Sequence, residues 1–231
     1  IRYHINQILV KSPKVTSSNE IYFIFLHNQK QTSLNMDNIK KKTRLYIKRM
    51  KAHFTNKELD EMSFQIIKTL KNHPWFIKAK TICLYNSLPD EVNTQDLIKE
   101  LSNSDKKILL PSINARNAIE LHEYSEGIDE IRIGVYGIKE SQGIVFTDYS
   151  AIDLIIVPGV AFDINNNRLG RGKGYYDQFL KMTQTKKIGI CFPFQMLKEI
   201  PTEDHDIKMD AIITIDNLRQ TSVSSVSYFS N

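Results

Sequence analysis

Residues 153–180, DLIIVPGVAFDINNNRLGRGKGYYDQFL, decide the reading of this chain. An unbroken apolar run from Leu154 to Val157 meets a tight corner at Pro158 and Gly159. A polar loop follows and ends with Gly170, Gly172 and Gly174 set around Arg171 and Lys173, and Tyr175-Tyr176-Asp177 opens a predicted helix. Three of the chain's nine glycines fall within these five residues. Glycine adopts backbone conformations that other residues resist, and it lets a ligand approach the amides, so glycines alternating with cations suggest a cradle for phosphate or carboxylate oxygens.

A βα rhythm extends from this stretch in both directions. Upstream, residues 79–85 (AKTICLY) read as a buried strand, 86–93 as a polar loop, and Thr94 as the cap of a helix carrying Leu97, Ile98 and Leu101. Residues 107–110 form a short strand stopped by Pro111, 119–124 alternate as a half-exposed strand, and 127–143 form a glycine-bearing connection. Downstream, 175–182 are helix, 187–192 a strand and 210–215 the last strand. Strands separated by helices predict a single-domain, three-layer α/β/α fold around a mostly parallel sheet. Ligands in such sheets sit beyond the carboxyl ends of the strands, where the loops 86–93 and 158–174 should converge.

Two helices precede the first strand. The first starts at Asp37 and carries Lys40, Lys41, Lys42 and Arg44 in its first two turns, where positive charge opposes the helix dipole and invites an anionic partner. The second is capped by Thr55 or Asn56, buries a stripe of Leu59, Met62, Ile66, Ile67 and Leu70, and ends at Pro74. Residues 1–35 show no sustained period and are expected to be an extension outside the domain. The domain then spans 36–218, and the Ser-rich residues 219–231 form a frayed tail.

The 231 residues carry 31 Lys and Arg against 26 Asp and Glu. Residues 1–35 hold four of those cations and one acid, leaving 27 against 25 for the rest. A body so near neutral does not coat nucleic acid. No run approaches the roughly 18 apolar residues of a membrane span. Cys83 and Cys191 lie in separate apolar runs and read as reduced core thiols of a cytoplasmic protein.

The glycine loop matches neither common phosphate motif. A P-loop requires glycine where Asn167 stands and Ser or Thr where Gly174 stands, and in the dinucleotide pattern the third glycine would come one residue later. Asp177 is either a first-turn helix acid facing Lys181 or a hard oxygen ligand for Mg²⁺ beside phosphates. Asp206 is either a turn residue or a second metal-side carboxylate. Tyr175 and Tyr176 point about 100° apart on a helix, so at most one enters the core squarely and the other is free to stack on a flat ring. His205 has no partner at zinc spacing.

The order VPGVAFD (157–163) followed by RLGRGKGYYD (168–177) resembles the 5-formyltetrahydrofolate cyclo-ligase, or methenyltetrahydrofolate synthetase, family. Weaker matches fall at 40–44, at DEVNT (90–94) and at IPTEDHD (200–206), so the resemblance covers 36 to about 215. It implies ATP- and Mg²⁺-dependent cyclisation of 5-formyltetrahydrofolate to 5,10-methenyltetrahydrofolate by a cytoplasmic monomer, through phosphorylation of the formyl oxygen. By the same resemblance Lys40, Arg44, Arg168, Gly170, Arg171, Gly172, Lys173, Gly174, Tyr175, Tyr176 and Asp177 hold ATP, and Asp177 and Asp206 hold Mg²⁺. Glu91 contacts the folate together with Arg171, Gly172, Lys173, Gly174 and Tyr175, and Lys173, Arg171 and Tyr175 serve the chemistry. The chain departs from the family at Ser141, where proline is usual, at Pro89, and in the extra-polar loop residues 164–167. The competing readings are a nucleotide- or RNA-linked binding module without catalysis and a phosphosugar isomerase-like enzyme.

Overall fold

A computed structural model describes residues 33–125, 131–133, 139–141 and 143–215. The expectations for the rest of the N-terminal extension, for 134–138 in the central connection and for the C-terminal tail lie outside these residues. The chain divides into two units, Ile1–Ile39 and Lys40–Asn231. Of the first, the described part is the opening of helix α1 (Ser33–Lys51). Asp37 therefore lies inside the helix and does not cap it. Ser33 is a favoured residue type at a helix start, and no glycine or proline separates it from Asp37. Lys40 to Lys42 consequently sit beyond the first turn, and the helix-dipole argument for an anion there falls away.

Helix α2 (Asn56–Lys71) begins with a reciprocal capping box between Thr55 and Glu58 and buries Leu59, Ser63, Ile66 and Leu70. Pro74 does more than end it. With His73 accepting from the Trp75 amide, it starts a short helix α3 (Pro74–Lys78), because proline at the first helical turn gives up only an N–H that would be unbonded anyway. Strand β1 (Thr81–Cys83), helix α4 (Gln95–Ser102), β2 (Lys107–Ile113) and β3 (Ile119–Tyr124) follow. Thr94 occupies the cap position of α4, but its hydroxyl donates to Tyr85 O at 2.6 Å. Asn93 supplies the cap contact by accepting from the Gln95 amide. Pro111 sits within β2 opposite Leu121, contrary to the expected stop. The pairing of β2 with β1 ends at Leu109, so Pro111 has a strand neighbour on one side alone and its missing N–H is tolerated.

A hairpin of β4 (Ile131–Ile133) and β5 (Lys139–Ser141) and strand β6 (Val145–Phe146) lead to β7 (Leu154–Val157). Next come β8 (Ala161–Asp163), β9 (Arg168–Leu169), helix α5 (Tyr175–Lys181), β10 (Lys186–Ile190), β11 (Met196–Leu197) and β12 (Ala211–Ile213). The main sheet runs β12-β10-β7-β1-β2-β3-β6, parallel from β12 to β2 and antiparallel over the last two strands. This is the mostly parallel sheet flanked by helices that the sequence predicts.

The four residues of β7 show how the layers form, because successive strand side chains face opposite sides. Leu154 and Ile156 pack with Ile66 and Leu70 of α2 and with Leu97, Ile98 and Leu101 of α4. Ile155 and Val157 belong to the other core, with Phe179 and Leu180 of α5. Burying each such side chain stabilises the fold by about 1.5–3 kcal/mol. The loop after β7 supplies β8 and β9, which join β11 from the segment after β10 in a second sheet, β11-β8-β9, that the sequence did not announce. Phe162 of β8 is fully buried between Gly159 and Gly189, where a Cβ on either glycine would overlap its ring.

Candidate active site

Three loops leave the carboxyl ends of β1, β7 and β10, and one face of helix α1 touches all three. Lys40, Arg44, Ile47 and Lys51 recur at the spacing of a single helix face. Lys51 Nζ donates to Pro89 O at 2.9 Å, Arg44 Nε to Gly170 O at 2.8 Å, and Lys40 Nζ to Glu203 Oε2 at 2.7 Å and Asp206 Oδ2 at 2.8 Å. Between them Ile47 packs with Ala161, Leu169 and Ile200 in a small separate core. Burial works against the charge on Lys40, but its bonds to Asp206 and Glu203 prevail and raise its pKa above the ordinary value.

The base of the glycine loop is a closed structure. Arg168 runs back beneath the loop, 5% exposed, with Nη2 2.7 Å from Asp177 Oδ1 and its guanidinium over the Tyr176 ring at 5.6 Å. Its Nη1 donates to Pro158 O, and its buried Nε has no hydrogen-bond partner. Asp177, for which the sequence offered Lys181 as one partner, is held by Arg168. Gly170 is required by this arrangement, since a Cβ there would lie 2.9 Å from Arg168 Nη1. Gly172 has φ +94 and would bring a Cβ to 3.2 Å from Arg44 Nη2. The glycines make room for the protein's own guanidinium groups as well as for left-handed backbone. Gly174, at φ +72, starts α5.

The tip of the loop is open. Arg171 Nη2 reaches across to Asp90 Oδ1 at 2.6 Å and Glu91 Oε1 at 3.1 Å, which joins the two loops expected to converge. Burial opposes the charge on Arg171, and the two carboxylates raise its pKa despite it. Glu91 also accepts from the Leu88 amide. Burial raises the pKa of the Glu91 carboxyl, against the pull of that amide and of Arg171. Lys173 is exposed, with no hydrogen bond or ion pair among the described residues. Tyr175 and Tyr176 both pack against the core that holds Val157 and Phe179, so neither tyrosine stands clear of it.

Asp177 gives one oxygen to Arg168 and Asp206 one to Lys40, and Asp206 Oδ1 faces His205 Nε2 at 3.7 Å. No group of three or more His, Cys, Asp or Glu among the described residues could hold a metal unaided. Carboxylate oxygens of this kind, completed by phosphate oxygens, are the hard donor type that Mg²⁺ takes. Burial pushes the Cys83 and Cys191 thiols up to about 12, and both are free. Neither is a nucleophile near neutral pH.

Sequence reasoning gave no role to Asp90, Glu203, Lys51 or Asp163. Asp90, Asp163 and Glu203 stood in the quoted motifs, which was the available signal. The contact between Lys40 and Glu203 spans 163 positions and leaves no local trace.

The model of the 5-formyltetrahydrofolate cyclo-ligase family matches residues 36–215. A Schizosaccharomyces pombe protein named as a probable 5-formyltetrahydrofolate cyclo-ligase is 34% identical, covering 68% of this chain and 85% of its own length. The Escherichia coli K12 5-formyltetrahydrofolate cyclo-ligase is 29% identical over 73% of this chain and 96% of its own. Among solved structures, the 5,10-methenyltetrahydrofolate synthetase of Aquifex aeolicus superposes with a TM-score of 0.68 at 32% identity, covering 76% of this chain and 89% of that one. No helix among the described residues is long and apolar enough to cross a membrane.

Proposed function

Because this chain belongs to the 5-formyltetrahydrofolate cyclo-ligase family and is an enzyme of that kind, we propose that it uses ATP and Mg²⁺ to convert 5-formyltetrahydrofolate to 5,10-methenyltetrahydrofolate. The formyl oxygen attacks the terminal phosphorus of ATP, and the bond to the departing ADP oxygen breaks. The nitrogen at position 10 then adds to the formyl carbon and loses its proton, and the bond from that carbon to the phosphate oxygen breaks. Such a reaction asks the protein mainly for positioning and for cations where charge collects.

Lys173 is an exposed cation of the loop without an ion pair among the described residues, and it is assigned to the phosphoryl oxygens. Arg171 joins it by exchanging Asp90 and Glu91 for phosphate, with Gly170, Gly172 and Gly174 allowing the close approach. Lys40 and Arg44 close the site from α1. Glu91, released from Arg171, accepts hydrogen bonds from the pterin's amino and ring N–H groups, and Tyr175 bounds the flat ring. Asp177 and Asp206 would hold Mg²⁺ through their second oxygens; when bound, the ion neutralises phosphate charge. Arg168 and Tyr176 belong to the ATP side through Asp177. The enzyme is read as a monomer, and the two free thiols suit a cytoplasmic setting.

The observation that supports this reading is the bridge from Arg171, assigned here to phosphate, to Asp90 and to Glu91, assigned here to the pterin. The test is purified protein with ATP, Mg²⁺ and 5-formyltetrahydrofolate, followed by the near-ultraviolet absorbance of the methenyl product. ATP-dependent growth of that band is expected. Folded protein that gives none contradicts the reading.

A further inference from the structure

Asp163 ends β8 with its side chain fully buried, and no Lys or Arg among the described residues pairs with it. A carboxylate in that position needs several N–H donors. Oδ1 accepts from the amides of Asn165 and Asn167, both at 2.9 Å. Oδ2 accepts from Asn167 Nδ2 at 2.9 Å and from the Ile200 amide at 3.1 Å. Three of these bonds are local and close the turn from β8 to β9, in which Asn166 takes φ +62. The fourth joins residues 37 positions apart.

That fourth bond holds the start of the segment bearing Glu203 and Asp206. The segment's far turn closes on itself, with the Glu203 amide donating to Asp206 Oδ2 and the Asp206 amide to Glu203 O. Lys40 holds this turn to α1 and the Met209 amide holds the segment's far end to Asn166 O, so the Ile200 amide bond, with the packing of Ile200 on Ala161 and Leu169, anchors its near end beside the glycine loop. The other side of Asp163 ends at Asn167, next to Arg168, which holds Asp177. One buried carboxylate thus spans the two branches that carry Asp177 and Asp206.

We propose that Asp163 is a positioning residue: it touches no substrate and fixes the 200–206 segment against the glycine loop, so that Lys40 and Asp206 face the same phosphates as Asp177. This rests on the assignment of those residues to the ATP side. Asparagine at 163 isolates the effect. Its single oxygen can keep both turn amides, and its NH₂ group can pair with Asn167 once that amide is flipped, which leaves the Ile200 N–H opposed by a donor.

Asp163→Asn is therefore expected to speed hydrogen exchange at residues 200–206 by about tenfold or more, while 165 and 167 change by less than about threefold. The dissociation constant for a non-hydrolysable ATP analogue should rise about tenfold, with KM for 5-formyltetrahydrofolate within about threefold of wild type. Unchanged exchange at 200–206, or equal weakening of both ligands as a general loss of structure would give, overturns the proposal. If Asp163→Asn does not fold, replacing the peptide N–H of residue 200 by an ester oxygen removes the one bond. The same pattern is then expected, and wild-type affinity for the ATP analogue in that protein overturns the proposal. Lys40→Ala separates the underlying assignment: unchanged ATP-analogue affinity in that variant refutes the ATP-side reading, and exchange at residue 200 still decides the role of Asp163.

Discussion

Arg168 and Arg171 stand three residues apart in one loop and hold carboxylates under opposite conditions. The Arg168 side chain is 3% exposed and its Asp177 partner 15%, whereas Arg171 and Asp90 are 46% and 48% exposed. Breaking a buried pair leaves a charge stranded in the interior, while an exposed pair trades its partner for water or ligand at little cost. The base of the loop is thus architecture, and its tip is free to exchange partners. A phosphate-binding site needs both, a fixed frame and cations whose present partners can be displaced.

The largest expected effect is at the base. Arg168→Ala should destabilise the protein by about 3 kcal/mol, measured by chemical denaturation, because Asp177 is left without its cation and the cation–π contact with Tyr176 is lost. A change near zero would place Arg168 with the tip. At the tip, Lys173→Ala should cost at least about tenfold in turnover, roughly 1.4 kcal/mol of transition-state stabilisation, with the denaturation midpoint unmoved. Wild-type turnover would remove Lys173 from the chemistry. Arg171→Ala should cost less stability than Arg168→Ala, since Asp90 is largely solvated and Glu91, though 12% exposed, keeps the Leu88 amide, and it should still lower kcat/KM for ATP. A large loss of stability in this variant would erase the contrast.

The smallest effect concerns pH. Burial raises the folded-state pKa of Glu91, so the fold disfavours the ionised form. The contribution of Glu91 to stability is complete below the ordinary carboxylate value and is lost as pH rises through the raised one. Glu91→Gln should therefore gain stability relative to wild type between about pH 4 and about pH 7, read from denaturation midpoints at both. A relative loss over that range would show that Arg171 outweighs burial.

The sheet was readable because each parallel strand is a short apolar run, and the alternation in β7 assigns its residues to two cores without further information. Helix α2 was readable because its capping box is local. What escaped was set by distant partners. Strands β8, β9 and β11 are two or three residues long and exist through pairings such as Phe162 with Arg168 and with Met196. No periodicity can develop over so few residues. Pro111 read as a strand stop because sequence does not show on which side a strand lacks a neighbour. In the site, the glycines and cations of the loop tip were legible, but the division between base and tip was not. Arg168 and Arg171 look alike in the motif, and only the burial of one and the exposure of the other separates them.

The most direct test of this division is an experimental structure with a non-hydrolysable ATP analogue and Mg²⁺. The account predicts that Arg171 leaves Asp90 and Glu91 for the phosphates while Arg168 keeps its contact with Asp177. Arg171 still bound to both carboxylates beside an occupied nucleotide, or Arg168 drawn out onto the phosphates, would contradict it.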